Sequence, residues 1–430
     1  MSIARWTLCA ALLFPLQAVQ DRRELPARLA NIAGRAFEKG DAERLEVRIL
    51  LGTDTLASLS HGSRPGERVV FPLDACAHLL FAGVAMQLSD GGQPGSPERL
   101  DLELPIGPVV PELGDVGARI TAHQLLTHTA GFGEWREFKG ATPAERLAKL
   151  GQAGLIADPG TCFCESSGDT FVLGVLLARL GKAPVVERVE SGLFDPAGAT
   201  EVRGCKERTF EPGIATALGE RELCGSADDL AALMRTLAAR RLTSEEVWLA
   251  MTTGDVLPDG TRTRFGHGFD LSRLGEHERI AFGGEGVHPS GARISVAYHP
   301  SFDMTIVAAA SGMREGRKLD VDALSRSLAR AVFAIDDPNV RDLPLDPEDA
   351  ARFTGDFLIG CDLTRVEFAE RRLVLKLLRR PELVLLAQGG DEFVARDDHD
   401  LRVRFHPGED RSPGFQIFER GFESTAKRID

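Results

Sequence analysis

Seven cysteines, ten histidines and a single tyrosine, Tyr298, are the side chains of this 430-residue chain that could carry nucleophilic, acid–base or metal chemistry. His78 stands alone on an otherwise apolar helix. It reads either as a hydrogen-bonded, neutral core histidine or as a functional group in a pocket. Cys76 precedes it by two residues and reads as a buried thiol. Cys162 and Cys164 flank Phe163 just before Glu165. They can pair with other cysteines, ligate a metal or simply be buried, with disulfide bonding the favoured reading. Cys205 and Cys224 form another candidate pair, and Cys361 completes an even set of six beyond Cys9. Ser166 and Ser167 have no lysine or histidine beside them in sequence to activate a hydroxyl. No H-E-x-x-H spacing is present. His123 and His128 read as structural, and His267 and His288 as loop residues.

Elements must hold these side chains in place. Residues 22–40 have helical spacing, with Leu29, Ile32, Ala33 and Phe37 on one side, and LEVRILL (45–51) reads as a strand. Residues 75–88 are apolar on almost every side, which predicts a buried central helix. Asp74 is its expected N-cap and Asp90-Gly91-Gly92 its end. The stretch 140–250 is mostly helical. Four successive antiparallel strands are expected within 266–312, then a helix at 320–335 that packs against them. A Pro/Asp-rich linker (336–348) leads into 349–430, where strand-like pieces alternate with turns as in a small β-barrel or sandwich.

With 43% hydrophobic and 27% charged residues the chain is an ordinary globular protein, and its length suits one large and one small domain. A net charge of -13 without a Lys/Arg cluster argues against nucleic acid as a partner. Residues 1–20 read as an export signal: Arg5, an apolar run from Trp6 to Leu16, and a cleavage zone near Ala18. That run is too short to span a bilayer, and no later segment is long and apolar enough. The expected location is periplasmic or secreted.

Several pieces in order resemble the serine β-lactamase and penicillin-binding-protein superfamily, specifically the class C-like β-lactamases with their esterase and DD-peptidase relatives. ITAHQLLTHTAGF (120–132) is similar to the family's I-T-x-x-x-L-L-x-H-x-S-G stretch. DPGTCF precedes a buried helix, LFDPAGAT looks like L-F-x-P-L-G-M-x-x-T, and GSADDLAALM looks like S-T-x-x-D-L-A-x-F. The likeness covers roughly residues 30–335. It implies an α/β (α+β) fold: an antiparallel sheet flanked by helices with a helical lobe (21–335), then a C-terminal β-barrel (349–430).

The resemblance also implies three catalytic motifs, and all three are altered. The S-x-x-K motif falls on Ala75-Cys76-Ala77-His78, so alanine replaces the nucleophile and histidine the lysine. The Y-x-N motif falls on Glu165-Ser166-Ser167, and K-T-G or H-x-G falls on Gly284-Glu285-Gly286. Tyr298 lies beyond the third motif, so no tyrosine is available for the second. The leading expectation is an exported, catalytically inactive homologue whose former cleft takes a peptide, a glycan fragment or a protein partner, without a cofactor. The alternatives are a repurposed hydrolase built on His78, Glu165 and Glu285, with or without a metal held by those three, and an active serine hydrolase whose nucleophile lies elsewhere.

Overall fold

The computed structural model describes residues 17–64, 66–91, 99–133, 142–205, 214–284, 292–312, 319–336, 338–360, 362–377 and 382–430. Residues 1–16 of the expected export signal therefore lie outside the described residues, as do Cys361, Glu285, Gly286 and His288.

An N-terminal helix, Gln17–Gly40, leads into a hairpin of β1 (Arg44–Leu51) and β2 (Asp54–His61). The sequence reading found β1 alone. β2, DTLASLSH, is an edge strand of mostly small and polar residues with only Ala57 buried, so it carries little hydrophobic signal. Three short strands, β3 (Phe71–Pro72), β4 (Arg203–Gly204) and β5 (Leu223–Gly225), pair as a small ribbon. A disulfide between Cys205 and Cys224 staples it. The four expected strands follow as β6 (Asp270–Leu274), β7 (His277–Gly284), β8 (Arg293–His299) and β9 (Met304–Ser311).

The main sheet has the order β2-β1-β9-β8-β7-β6, and every pairing is antiparallel. Every residue of β8 is buried because both faces of the sheet are covered. Along β9 the faces alternate. Val307 and Ala309 join a core with the helices of the middle section, while Ile306, Ala308 and Ala310 pack with Leu29 and Ala33 of the first helix and with the helix Val321–Phe333.

The central helix spans Ala77–Asp90 after a 3₁₀ turn at Leu73–Cys76. Asp74 does not cap it. Its carboxylate instead accepts the backbone N–H of Ile214 at 2.6 Å, a tertiary contact that outcompetes the local one. Thr121 and Gln124 form a capping box on Ala122–Leu126, and Ser226 and Asp229 form another on Ala227–Ala238.

Beyond the helix Pro347–Ala350, eight strands close into a barrel: β10 (Gly355–Ile359), β11 (Asp362–Ala369), β12 (Arg372–Leu377), β13 (Leu383–Gly389), β14 (Glu392–Ala395), β15 (Leu401–Phe405), β16 (Gly414–Glu419) and β17 (Phe422–Arg428). β17 carries little strand signal in the sequence. Its residues, FESTAKR, alternate without a large apolar side chain after Phe422, and pairing with β10 and β16 makes them a strand. Closure removes the exposed edges, and Phe357, Phe393, Phe405 and Phe415 fill the interior.

The barrel is keyed by ion pairs to the helix Val321–Phe333 that packs on the main sheet. Arg420, at the β16–β17 turn, reaches Asp322 at 3.2 Å and Asp398 at 3.0 Å, and Arg279 also pairs with Asp322. Arg326 bonds Asp400 at 2.9 Å. Burial alone would push the Asp322 carboxyl up. The charges of Arg279, Arg420 and Arg326 hold it well below the usual carboxylate range.

Candidate functional site

The segments that hold Ala75, His78, Glu165 and Gly284 converge. The turn Leu73–Cys76, with Ala75, lies against β7 and β8, and the central helix packs on the helix Ser167–Gly181. Gly284 ends β7 opposite Ile294 of β8. The rest of the third motif, Glu285 and Gly286, lies outside the described residues.

His78 sits in the first turn of the central helix with both ring nitrogens engaged. Nε2 lies 3.0 Å from the carbonyl oxygen of Leu126, and Nδ1 lies 2.9 Å from Thr170 Oγ1. A carbonyl only accepts, so Nε2 carries the proton and donates. Nδ1 then accepts from the Thr170 hydroxyl. The ring stacks on His128 at a centroid distance of 4.0 Å, and Phe265 closes over both rings at 5.5 and 4.9 Å. Burial, then repulsion by His128, holds the imidazole well below its ordinary value. The Leu126 carbonyl and the charge of Glu165 pull the other way and do not prevail. His78 is a neutral, fixed ring.

His128 is held as firmly. Its Nδ1–H donates to Asp169 Oδ2 at 2.8 Å, and the side chain of Asp169 is fully buried. Its backbone is left-handed, with φ 55°, a conformation that costs a non-glycine residue about 1–2 kcal/mol. That turn aims its carbonyl at the N–H of Cys164, 2.8 Å away, which ties this loop to the one bearing the second motif. Cys164 donates its buried thiol to Phe132 O at 3.2 Å, so it serves as a hydrogen-bonded thiol there and not as half of the favoured disulfide. Cys162 is buried beside it, and Cys76 is a buried thiol whose pKa desolvation drives upward.

Glu165 is exposed, and its charge acts on both His78 and Arg264. Arg264 pairs at 3.1 Å with Glu419 of β16, so the barrel contributes a carboxylate to the rim of this region. Ser166 is the N-cap of the helix Ser167–Gly181. Its Oγ accepts from Gly168 N at 3.1 Å and donates to Gly133 O at 2.8 Å, which leaves no role as nucleophile. Ser167 is exposed as the first residue of that helix.

A second histidine constellation lies on the next face of the same segment. His123 Nε2 contacts Asp255 Oδ2 at 2.8 Å, and its Nδ1 lies 2.9 Å from Nε2 of His267. The hydrogen bond to Asp255 raises the His123 pKa despite partial burial, whereas burial pulls His267 down to about 4. His123 therefore donates to both partners when protonated, and His267 stays neutral as the acceptor. His267 is a loop residue, as expected, but a buried and hydrogen-bonded one.

An acyl-serine reaction requires a hydroxyl beside a group with an available lone pair. Ala75 provides a methyl group, and the only lone pair of neutral His78 faces Thr170. Among the described residues no group of three His, Cys, Asp or Glu side chains is arranged to hold a metal ion. Asp169, Thr170, Asp255, Arg264 and Glu419 were not singled out by sequence reasoning. The available signal was Asp169-Thr170, a polar pair at the head of an otherwise apolar helix.

A family model described as Beta-lactamase matches residues 41–331. The protein PbpX of Bacillus subtilis (strain 168), described as a penicillin-binding protein, is 25% identical over 210 residues, covering 44% of this chain and 50% of its own. The chain thus spans about half the length of this curated relative. Among solved structures, the octameric penicillin-binding protein homologue from Pyrococcus abyssi aligns with a TM-score of 0.62 at 15% identity, covering 93% of this chain and 99% of that one. SurE, solved with D-Leu, aligns at 0.58 and 21% identity over 96% of this chain and 100% of its own. The D-amino acid amidase from Ochrobactrum anthropi SV3 aligns at 0.59 and 17% identity, over 72% and 99%. At these identities the structural likeness establishes the fold.

Proposed function

The chain belongs to the β-lactamase family, and from that premise we propose that it is an exported member that has lost acyl-serine chemistry and uses its former cleft to bind. One observation carries the reading. Ala75 stands at the nucleophile position, and the residue one turn later, His78, is a neutral imidazole with both nitrogens committed to Leu126 and Thr170. An alanine methyl cannot be acylated, and a ring so held is not free to take a proton.

The cleft keeps features that suit recognition. The Glu165 carboxylate and the Ser167 hydroxyl are exposed at its edge, and Arg264 and Glu419 stand behind. A peptide, a glycan fragment or a protein segment that offers hydrogen-bond donors fits such a rim. Export is supported by the apolar N-terminal run and by the Cys205–Cys224 disulfide, a bond at home in oxidising compartments. The repurposed-hydrolase reading is less favoured, because His78 would have to break both hydrogen bonds before ligating a metal or acting as a base.

The test is intact-mass analysis of the folded protein after incubation with a fluorophosphonate probe, beside a reactive serine hydrolase. No adduct is expected. A stoichiometric adduct mapped to one serine peptide would overturn the loss of chemistry and locate the nucleophile.

A further inference from the structure

A groove of about 280 Å³ lies on the barrel, away from the altered motifs, between residues 338–341 of the linker and strands β14 to β16. Its construction follows from strand register. On the outer barrel face Val394 pairs across to Arg402, and Arg402 to Phe418. One step along, Glu392 pairs to Arg404, and Arg404 to Gln416. Arg402 and Arg404, two residues apart, therefore project from the same side of β15. The linker walls off this strip. Arg341 N donates to Gln388 Oε1 at 2.9 Å, Gln388 Nε2 donates back to Arg341 O at 2.8 Å, and Leu343 N bonds Ala387 O at 3.1 Å.

The charges in the groove do not balance. Arg404 is compensated by Glu392 at 2.6 Å, and its guanidinium lies over the Phe418 ring at 5.4 Å. Arg341 and Arg402 form no ion pair with any described residue. Two uncompensated guanidinium groups thus face one concave strip with an aromatic floor, on a chain whose net charge is -13. On such a background a local cationic site attracts small anions and does not become a general polyanion surface. Arginine's planar fork matches carboxylate and phosphate oxygens, and Phe418 with Val394 offers an apolar bed beside them.

We propose that this groove is a ligand site for a small molecule that carries a carboxylate or phosphate group and an apolar or aromatic portion. The oxyanion binds Arg341 and Arg402, and the apolar portion lies against Val394 and the part of Phe418 that Arg404 does not cover. The site is independent of the altered cleft, so it stands whatever becomes of the reading above.

The experiment is calorimetric titration of the full chain with phenyl phosphate, benzoate and inorganic phosphate at fixed, moderate salt. Phenyl phosphate is expected to bind at least ~10-fold more tightly than inorganic phosphate, since an apolar contact adds to the charge-assisted bonds. R341E and R402E, both at exposed positions, should each weaken phenyl phosphate by ~10-fold or more. Phe418→Ser should remove the preference for phenyl over inorganic phosphate. The order of phenyl phosphate and benzoate tells which oxyanion the site favours. No heat of binding at millimolar probe, or affinity unchanged in both arginine variants with circular dichroism confirming their fold, would overturn the proposal.

Discussion

Two histidine pairs flank one short segment of this protein, and one member of each, His78 and His123, is shifted in opposite directions. His78 and His128 stack at 4.0 Å under Phe265, with their described ring contacts directed to Leu126, Thr170 and Asp169. His123 and His267 are joined by a single hydrogen bond, with Asp255 at the open end and Glu103 at 3.7 Å. In the first pair burial dominates, and His78 is kept neutral. In the second a carboxylate partner outweighs partial burial, and His123 gains basicity. Histidine 123 and histidine 128 stand five positions apart, so residue type and local sequence do not separate them. Both rings face an aspartate at 2.8 Å, and what separates them is burial: the His128 side chain is 4% exposed and that of His123 26%.

The sharpest way to break this comparison is to empty the stacked pair. His78→Ala leaves Thr170 Oγ1 and the Leu126 carbonyl without their partner and opens a void beneath Phe265. A loss of about 3–5 kcal/mol is expected, read as a lowered denaturant midpoint at unchanged m-value.

Acidification compares His78 with His123 directly. His78, His267 and His299 all have folded pKa values below the unfolded 6.5, His267 at about 4 and His299 at about 3, with burial the leading cause. The unfolded chain takes up protons first, so the stability these neutral rings allow is complete above pH ~6.5 and drains as pH falls toward those values. Each such ring costs up to about 2 kcal/mol between pH 6.5 and 5, so calorimetry should record a steep fall in Tm over that interval. His123 has the opposite sign. Its contribution is complete below pH ~6.5 and is lost as pH rises through its raised folded value. A Tm that rises on acidification from pH 7 to 5 would contradict the neutral assignment.

Asp255→Ala probes the open pair alone. It should cost about 1 kcal/mol near neutral pH and move the His123 titration, followed by NMR of the ring protons, down toward 6.5. His78 should not respond.

The smallest effect is expected from Ala75→Ser. Replacing one methyl by a hydroxymethyl at this partly buried turn should change stability by less than about 1 kcal/mol, and it should leave the protein inert to a fluorophosphonate probe. Labelling of the new serine would show that His78 can release its hydrogen bonds.

Much of the fold was legible because its signals are local. The central helix is apolar on every side, β6 to β9 are long runs bounded by turn residues, and the barrel strands alternate. β1 was found and its partner β2 was not, because β2 is an edge strand whose Leu56 and Leu59 stand among polar residues without an alternating pattern. β17 is as weakly marked. Asp74 looked like a cap from its position, but it was taken by Ile214, 140 residues away. In the site, Ala75, His78 and Glu165 could be singled out from the sequence as candidates. The residues that fix their meaning, Thr170, Asp169 and Phe265, could not.

Hydrophobic periodicity and turn chemistry are properties of neighbouring residues, so the sequence by itself determined the helices, most strands, the order of the two domains and the absence of a serine at position 75. Protonation, hydrogen-bond partnership and disulfide pairing depend on groups brought together from distant parts of the chain. Only the tertiary structure decided that His78 is a hydrogen-bonded neutral ring, that Cys205 bonds Cys224 while Cys164 remains a hydrogen-bonded thiol, and that Glu419 of the barrel stands beside Arg264. Each of those outcomes is set by burial and by charge at a few ångströms, which no local pattern encodes.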